Sequence, residues 1–240
     1  MFEVGDVIGQ GGRWSIVGHL ANKCFYAIDL ETGQDVVVKY VGQVSRELDF
    51  VTDRFARTAA QDQRQHAVIP RHPNLVTHLS ADSRERFVVM ENVTGPTLSQ
   101  LEEPLSWNRA TQIILGVGKG LTFIAEEYNR FHGDIGPTNI ILNQTGLFEV
   151  PVICDFGESE AITDGDKEMY IGIDRLCLAR LIPEMRTGQP LTETQIDKFS
   201  SANPQFDANE QETEAIKMLM ADNPAPWSQI EHTIKNRSRN

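Results

Sequence analysis

A chain of 240 residues with 40% hydrophobic and 23% charged side chains is long and apolar enough to bury a core in one or two globular units, which excludes disorder as its ordinary state. Its formal net charge of −12 would repel a phosphate backbone, so duplex nucleic acid and an anionic membrane are excluded as the main partner. A local basic pocket for a nucleotide is still allowed.

The chain opens on Met1-Phe2-Glu3-Val4-Gly5-Asp6, acidic where a signal peptide is basic and then apolar. No apolar run approaches the roughly 18 residues of a membrane span, and the expected location is cytoplasmic. Residues Phe2 to Val41 alternate apolar and polar in short runs, which predicts antiparallel sheet. Ile8-Gly9-Gln10-Gly11-Gly12-Arg13-Trp14-Ser15-Ile16-Val17 is a glycine-rich turn between extended segments. Glycines there let backbone amides approach phosphate oxygens, although a plain hairpin turn reads the same way at this level. A dinucleotide-binding loop would need a helix after the glycines, and a Walker loop fails because Gly118-Lys119 is followed by Gly120 inside a predicted helix.

Cys24 to Leu30 and Asp35 to Val41 flank Glu31-Thr32-Gly33-Gln34 as a hairpin does. Val36-Val37-Val38-Lys39 sets a lysine at the inward end of an apolar strand, where its charge needs either solvent or an anion such as a phosphate. From Ser45 to about Ala67 there is no Gly or Pro, and Leu48, Val51, Phe55 and Ala59 recur at helical spacing, which predicts one long helix. Two strands follow over Leu75 to Leu79 and Arg86 to Val93, and Thr94-Gly95-Pro96 marks a boundary. The expected division is a sheet-rich unit over 1–92 and a helical unit over 93–240.

After Pro104, Ser106 caps a helix whose stripe is Ile113, Ile114, Val117, Leu121 and Ile124. Helices dominate from there, except for β-type runs at Ile140 to Asn143 and Val150 to Cys154. Around those runs stand Phe131-His132-Gly133-Asp134-Ile135-Gly136-Pro137-Thr138-Asn139 and Cys154-Asp155-Phe156-Gly157. Asp134 is a candidate to accept a hydroxyl proton, and Asn139 and Asp155 are candidates to bind metal, which reads as a phosphoryl-transfer site. Cys24, Cys154 and Cys177 are odd in number and lack CxxC spacing, so neither a disulfide framework nor a zinc site is indicated. The six histidines form no HExxH pattern, and His132 reads as a prop for the loop.

Together these motifs resemble the protein-kinase superfamily over nearly the whole chain. The resemblance implies an α+β, bilobal fold with an antiparallel-sheet N-lobe and a shortened helical C-lobe. It implies ATP and Mg2+ as cofactors and a protein as substrate or activating partner. In its terms Gly9, Gly11 and Gly12 belong to the glycine-rich loop, and Lys39 holds the α- and β-phosphates. Met90 is the gatekeeper, the backbones of Glu91 and Val93 contact adenine, and Val17, Val37 and Ile141 enclose the ring. Asp134 is the catalytic base, Asn139 and Asp155 the magnesium ligands, and Asp174 the buried anchor of the C-lobe. Trp227 stands where an arginine is usual.

Four departures qualify the resemblance. Gly133 replaces the arginine that receives a phosphorylated activation loop, which argues against that form of switching. Gly136 replaces the catalytic-loop lysine, a loss worth on the order of 10²–10³ in rate. No glutamate occurs between Leu48 and Arg84, so the helix partner of Lys39 is sought at Asp62 or Gln63, or at Glu47 if the helix starts early. Arg13 is a candidate to bring positive charge to the γ-phosphate. Finally, Glu158 to Ile173 alone separate Asp-Phe-Gly from Asp174, without an Ala-Pro-Glu element, and the acids Glu158, Glu160, Asp164, Asp166 and Glu168 crowd that stretch. The alternatives to a protein kinase are a pseudokinase binding module and a small-molecule kinase.

Overall fold

The structure is a computed structural model and describes residues 2–21, 23–41, 46–52, 71–145, 148–163, 165–199, 210–221 and 227–237. The chain divides into two compact units, Met1–Val93 with Asp155–Ser159, and Thr94–Cys154 with Glu160–Asn240.

The first unit is built on six strands: β1 (Val7–Ile8), β2 (Trp14–Ala21), β3 (Cys24–Asp29), β4 (Asp35–Tyr40), β5 (His78–Asp82) and β6 (Phe87–Glu91). They form one antiparallel sheet in the order β1-β2-β3-β4-β6-β5. Alternation along β4 separates its residues by face: Val36 and Val38 enter the core with Trp14, Ile16, Phe25, Ala27, Phe87 and Val89, leaving Val37 and Lys39 on the opposite face. Gly33, at φ 72°, closes the β3–β4 turn in a backbone conformation that side chains resist. Helix α1 is described over residues 46–52 and buries Phe50 and Val51. Phe55, Ala59, Asp62 and Gln63 lie outside the described residues. The strand expected from Leu75 starts instead at His78: Leu75 is buried and makes a single isolated bridge, and Val76 and Thr77 after it lie outside any strand.

The second unit opens with α2 (Trp107–Glu127), and the Ser106 hydroxyl accepts the Arg109 amide at its N-terminus. The expected stripe of Ile113, Ile114, Val117, Leu121 and Ile124 is buried throughout. Strand β7 (Arg130–Phe131) pairs with β10 (Glu160–Ala161), and β8 (Ile140–Thr145) with β9 (Phe148–Ile153). The segment at 94–96 runs beside β8, with Leu142 N–H donating to Pro96 O and Gln144 N–H to Thr94 O. Gly95 is required there, since a Cβ would meet Leu142 O at 2.1 Å. Helices α3 (Lys167–Thr187), α4 (Glu193–Phe199), α5 (Glu210–Met220) and α6 (Trp227–Arg237) complete the unit. The Trp227 ring lies on Gly118, where a Cβ would come within 1.7 Å, so this tryptophan packs against α2. Among the described residues no helix is long and apolar enough to cross a membrane.

Candidate active site

Lys39 is the centre of the first unit's polar chemistry. Its Nζ lies 2.6 Å from Glu47 Oε2 on α1 and 2.5 Å from Asp155 Oδ1, and its side chain is only 15% exposed. Burial works against the ammonium, but the two carboxylates outweigh it and raise the Lys39 pKa. Burial likewise pushes the Glu47 carboxyl up, yet His78 and Lys39 overcome it and hold the pKa at about 2. The early-starting helix therefore supplies the partner, and the lack of a glutamate after Leu48 is no defect. Arg46, one residue earlier, pairs with Glu158 at 2.7 Å.

Asp155 has φ 61°, a left-handed conformation for a non-glycine residue, and its Oδ1 also accepts the Gly157 amide at 3.1 Å. The tight turn directs Phe156 to the opposite side, where its ring stacks on Phe50 at 4.6 Å and is fully buried.

The glycine-rich turn lies away from Lys39, contrary to the expectation that it belongs to the phosphate site. Strand register pairs Lys39 with Cys24, whereas Trp14, which follows the glycines, pairs with Asp29 at the other end of β3. The five steps along that strand correspond to about 17 Å. The turn is also occupied with its own bonds: Gly9 N–H donates to Glu85 Oε2 and Gly12 N–H to Gly9 O, both at 3.0 Å. Gly9, Gly11 and Gly12 all have φ between 69° and 82°, which accounts for glycine without invoking a phosphate. Arg13 is bound bidentately by Asp29 at 3.1 and 2.8 Å, reaches Glu31 at 3.2 Å and stacks over Trp14, so its charge is spent within the sheet. The end of β3 adjacent to Lys39 is instead the one that follows Lys23, whose O accepts the Tyr40 amide at 2.8 Å.

Around Lys39 this face of the sheet is apolar. Val37 has Tyr26 and Met90 as its cross-strand partners, and Lys39 has Cys24 and Val88. Met90 and Val37 are buried side by side, while Val17, on β2, is 46% exposed and lies two strands from Val37. Glu91 is anchored to the neighbouring chain: its amide donates to Thr77 O and its Oε1 accepts the Thr77 amide. That leaves the carbonyl as the backbone group of Glu91 to consider for adenine. Val93 is half-buried at the end of this unit.

In the second unit Asp134 is exposed and Asn139 is buried beside it. Asn139 Nδ2 donates to both Asp134 O and Asp134 Oδ2 at 2.9 Å, which turns the Asn139 carbonyl oxygen away from the loop's own acceptors. The loop is pinned from beneath. Asp174, buried in α3, accepts the amides of His132 at 2.8 Å and Gly133 at 2.9 Å. Burial raises the Asp174 pKa, and those two amides oppose the rise. His132, fully buried, accepts the Asp134 amide on Nδ1 and sets Nε2 3.2 Å from Cys154 O, so it is a structural prop. Gly133, at φ 83°, and Gly136, whose missing Cβ faces open space, both leave the loop without a basic side chain. Ile141, half-buried on β8, bridges to Thr97.

Of the acidic stretch, Asp164 lies outside the described residues, and local structure separates the others. Glu160 enters β10, Asp166 takes a hydrogen bond from Thr163 before α3, and Glu168 lies in the first turn of that helix, a favourable place for an anion. Ile162 N–H donates to Asn129 O, so this short segment is stitched to the chain that leads into the Asp134 loop.

A sheet with a lysine paired to a helix glutamate, and a helical unit carrying an Asp–Asn loop on a buried aspartate, define a protein-kinase-like α+β fold. The family model described as protein kinase domain matches residues 2–230, and the chain belongs to that family. A probable serine/threonine-protein kinase of Corynebacterium efficiens is 30% identical over 200 residues, covering 79% of this chain and 28% of that protein. Pollen receptor-like kinase 3 of Arabidopsis thaliana is 28% identical over 164 residues, covering 63% of this chain and 23% of that protein. The chain thus spans about a quarter of the length of these curated relatives. The crystal structure of Rad53 kinase domain and SCD2 aligns with a TM-score of 0.68 at 20% identity, over 93% of this chain and 89% of that one, which is a likeness of fold.

Proposed function

We propose that this chain is an ATP- and magnesium-dependent protein kinase that transfers the γ-phosphate to a serine or threonine hydroxyl of a protein. The observation that carries the reading is the placement of Lys39 between Glu47 and Asp155. A buried ammonium held by two carboxylates is fixed in position and keeps its charge, as a phosphate-binding group must. In this reading residues 1–92 hold the nucleotide and residues 93–240 handle the acceptor. Lys39 binds the α- and β-phosphates, Val37 and Met90 form the apolar wall for adenine, and Asp134 orients the acceptor hydroxyl and takes its proton.

Asp155 and the carbonyl oxygen of Asn139 are the hard oxygen donors that magnesium prefers, and the use of Asn139 Nδ2 by Asp134 selects the oxygen as its ligand atom. When bound, the metal supplies charge neutralisation for the transferring phosphoryl group.

A second reading, a pseudokinase, is favoured by Gly136 and by the glycine turn's distance from Lys39. Both remove groups that would stabilise the transferring phosphate. A Mg-ATP thermal-shift titration followed by radiolabel transfer separates the two. Transfer that falls on the order of 10³-fold in Asp134→Asn, with the nucleotide-induced shift retained, supports the kinase. A nucleotide shift in the wild type without transfer supports the pseudokinase, and full activity in Asp134→Asn rules out the mechanism.

A further inference from the structure

Position 78, on β5, carries a histidine whose side chain is fully buried. Its Nε2 lies 3.6 Å from Glu47 Oε1, while the other oxygen of that carboxylate meets Lys39. The imidazole also stands edge-on to two aromatic rings, 6.0 Å from Phe50 and 5.6 Å from Phe156 between centroids. One ring therefore touches α1 twice, through a carboxylate and through an aromatic face, and also touches the residue after Asp155. An apolar side chain of similar size would fill this space as well and avoid the cost of burying a polar ring. What the imidazole adds is a polar edge directed at Glu47. The depressed Glu47 pKa, to which His78 contributes, is in keeping with that contact.

We propose that His78 is a positioning residue for the Lys39 site. It fixes the Glu47 carboxylate, holding Oε1 on its own side so that Oε2 faces Lys39. The functional consequence rests on the kinase reading, but the contact can be tested without phosphoryl transfer.

Lys39 acylation by an N-hydroxysuccinimide ester, followed by mass spectrometry on the full chain, reads the state of the ammonium. A lysine that loses its carboxylate partner loses the interaction that raises its pKa, and its reactive free-base fraction grows tenfold for each unit of fall. His78→Leu should therefore raise Lys39 labelling roughly tenfold, as Glu47→Gln does, and the double variant should label no faster than either single one. His78→Gln, which keeps a polar edge, should restore most of the protection. Wild-type labelling in His78→Leu, or increments that multiply in the double variant, overturns the proposal. His78→Met carries the same expectation if the leucine variant fails to fold. In the folded variants the Mg-ATP thermal shift should fall with His78→Leu and return with His78→Gln. A wild type that shows no Mg-ATP shift ends the kinase reading and leaves the labelling result to decide the contact.

Discussion

Lys39, Glu47 and Asp155 come from a strand, a helix and a turn far apart in the chain, whereas Asp134 and Asn139 stand five residues apart on one loop. The first group is held by charge, the Lys39 ammonium pairing with both the Glu47 and the Asp155 carboxylates. The second is held mainly through its backbone, whose amides are received by Asp174 and His132. The difference teaches that the two halves of the chemistry fail differently. Removing a charge from the first leaves another buried charge stranded, while removing the anchor of the second leaves neutral amides without acceptors.

The largest effect should come from stranding the charge. Lys39→Ala leaves Glu47 buried without its cation, and denaturant unfolding should show a loss of about 3–5 kcal/mol. A loss under about 1 kcal/mol would mean that the ion pair is solvated and the contrast is false. Next comes the anchor: Asp174→Leu strips two backbone amides of their acceptor and should cost about 3 kcal/mol, whereas Asp174→Asn keeps one acceptor and should cost less. Equal costs for the two substitutions would show that packing, rather than the amides, holds the loop.

Acid should act on the two groups with opposite sign. Glu47 is depressed from 4.5 to about 2, so its contribution is complete above about pH 4.5 and is lost as pH falls towards 2. Asp174 has a raised pKa, so its own burial becomes a cost as pH rises through the carboxylate range. Melting temperatures between pH 2.5 and 5.5 should show an acid limb that Glu47→Gln flattens. An unchanged limb in that variant would place the acid sensitivity elsewhere.

The smallest effect concerns the glycine turn. Gly9→Ala forces a side chain to φ 82° with its Cβ 2.7 Å from the Trp14 ring, and should cost about 1–3 kcal/mol. Its Mg-ATP thermal shift should nevertheless match the wild type. Loss of that shift would return Gly9 to the nucleotide site despite its distance from Lys39 along the strand.

How far the sequence could be read depended on range. The α2 stripe and its Ser106 cap were legible because helical periodicity and capping act within a few residues. The β3–β4 hairpin was legible for the same reason, through Glu31-Thr32-Gly33-Gln34. The glycine turn misled because its composition suits any tight turn, and only the register shows that Asp29, not Lys39, lies beside it. Arg13 misled likewise: a guanidinium near glycines reads as a phosphate group until Asp29 and Glu31 are seen to hold it. His78 gave no local signal at all, since a histidine in an apolar stretch carries no mark of the carboxylate it meets across the fold.

By itself, the sequence determined the order of the chemistry: the lysine strand, the Asp134–Asn139 loop and the Asp155-Phe156-Gly157 turn, together with the family to which that order points. Those are properties of spacing along the chain, and spacing survives without coordinates. Only the tertiary structure decided which carboxylate answers Lys39, what the glycine turn is for and what stands behind Glu47. Each of those depends on contacts between residues distant in the chain, and such contacts are set by strand register and helix packing, which no local pattern encodes.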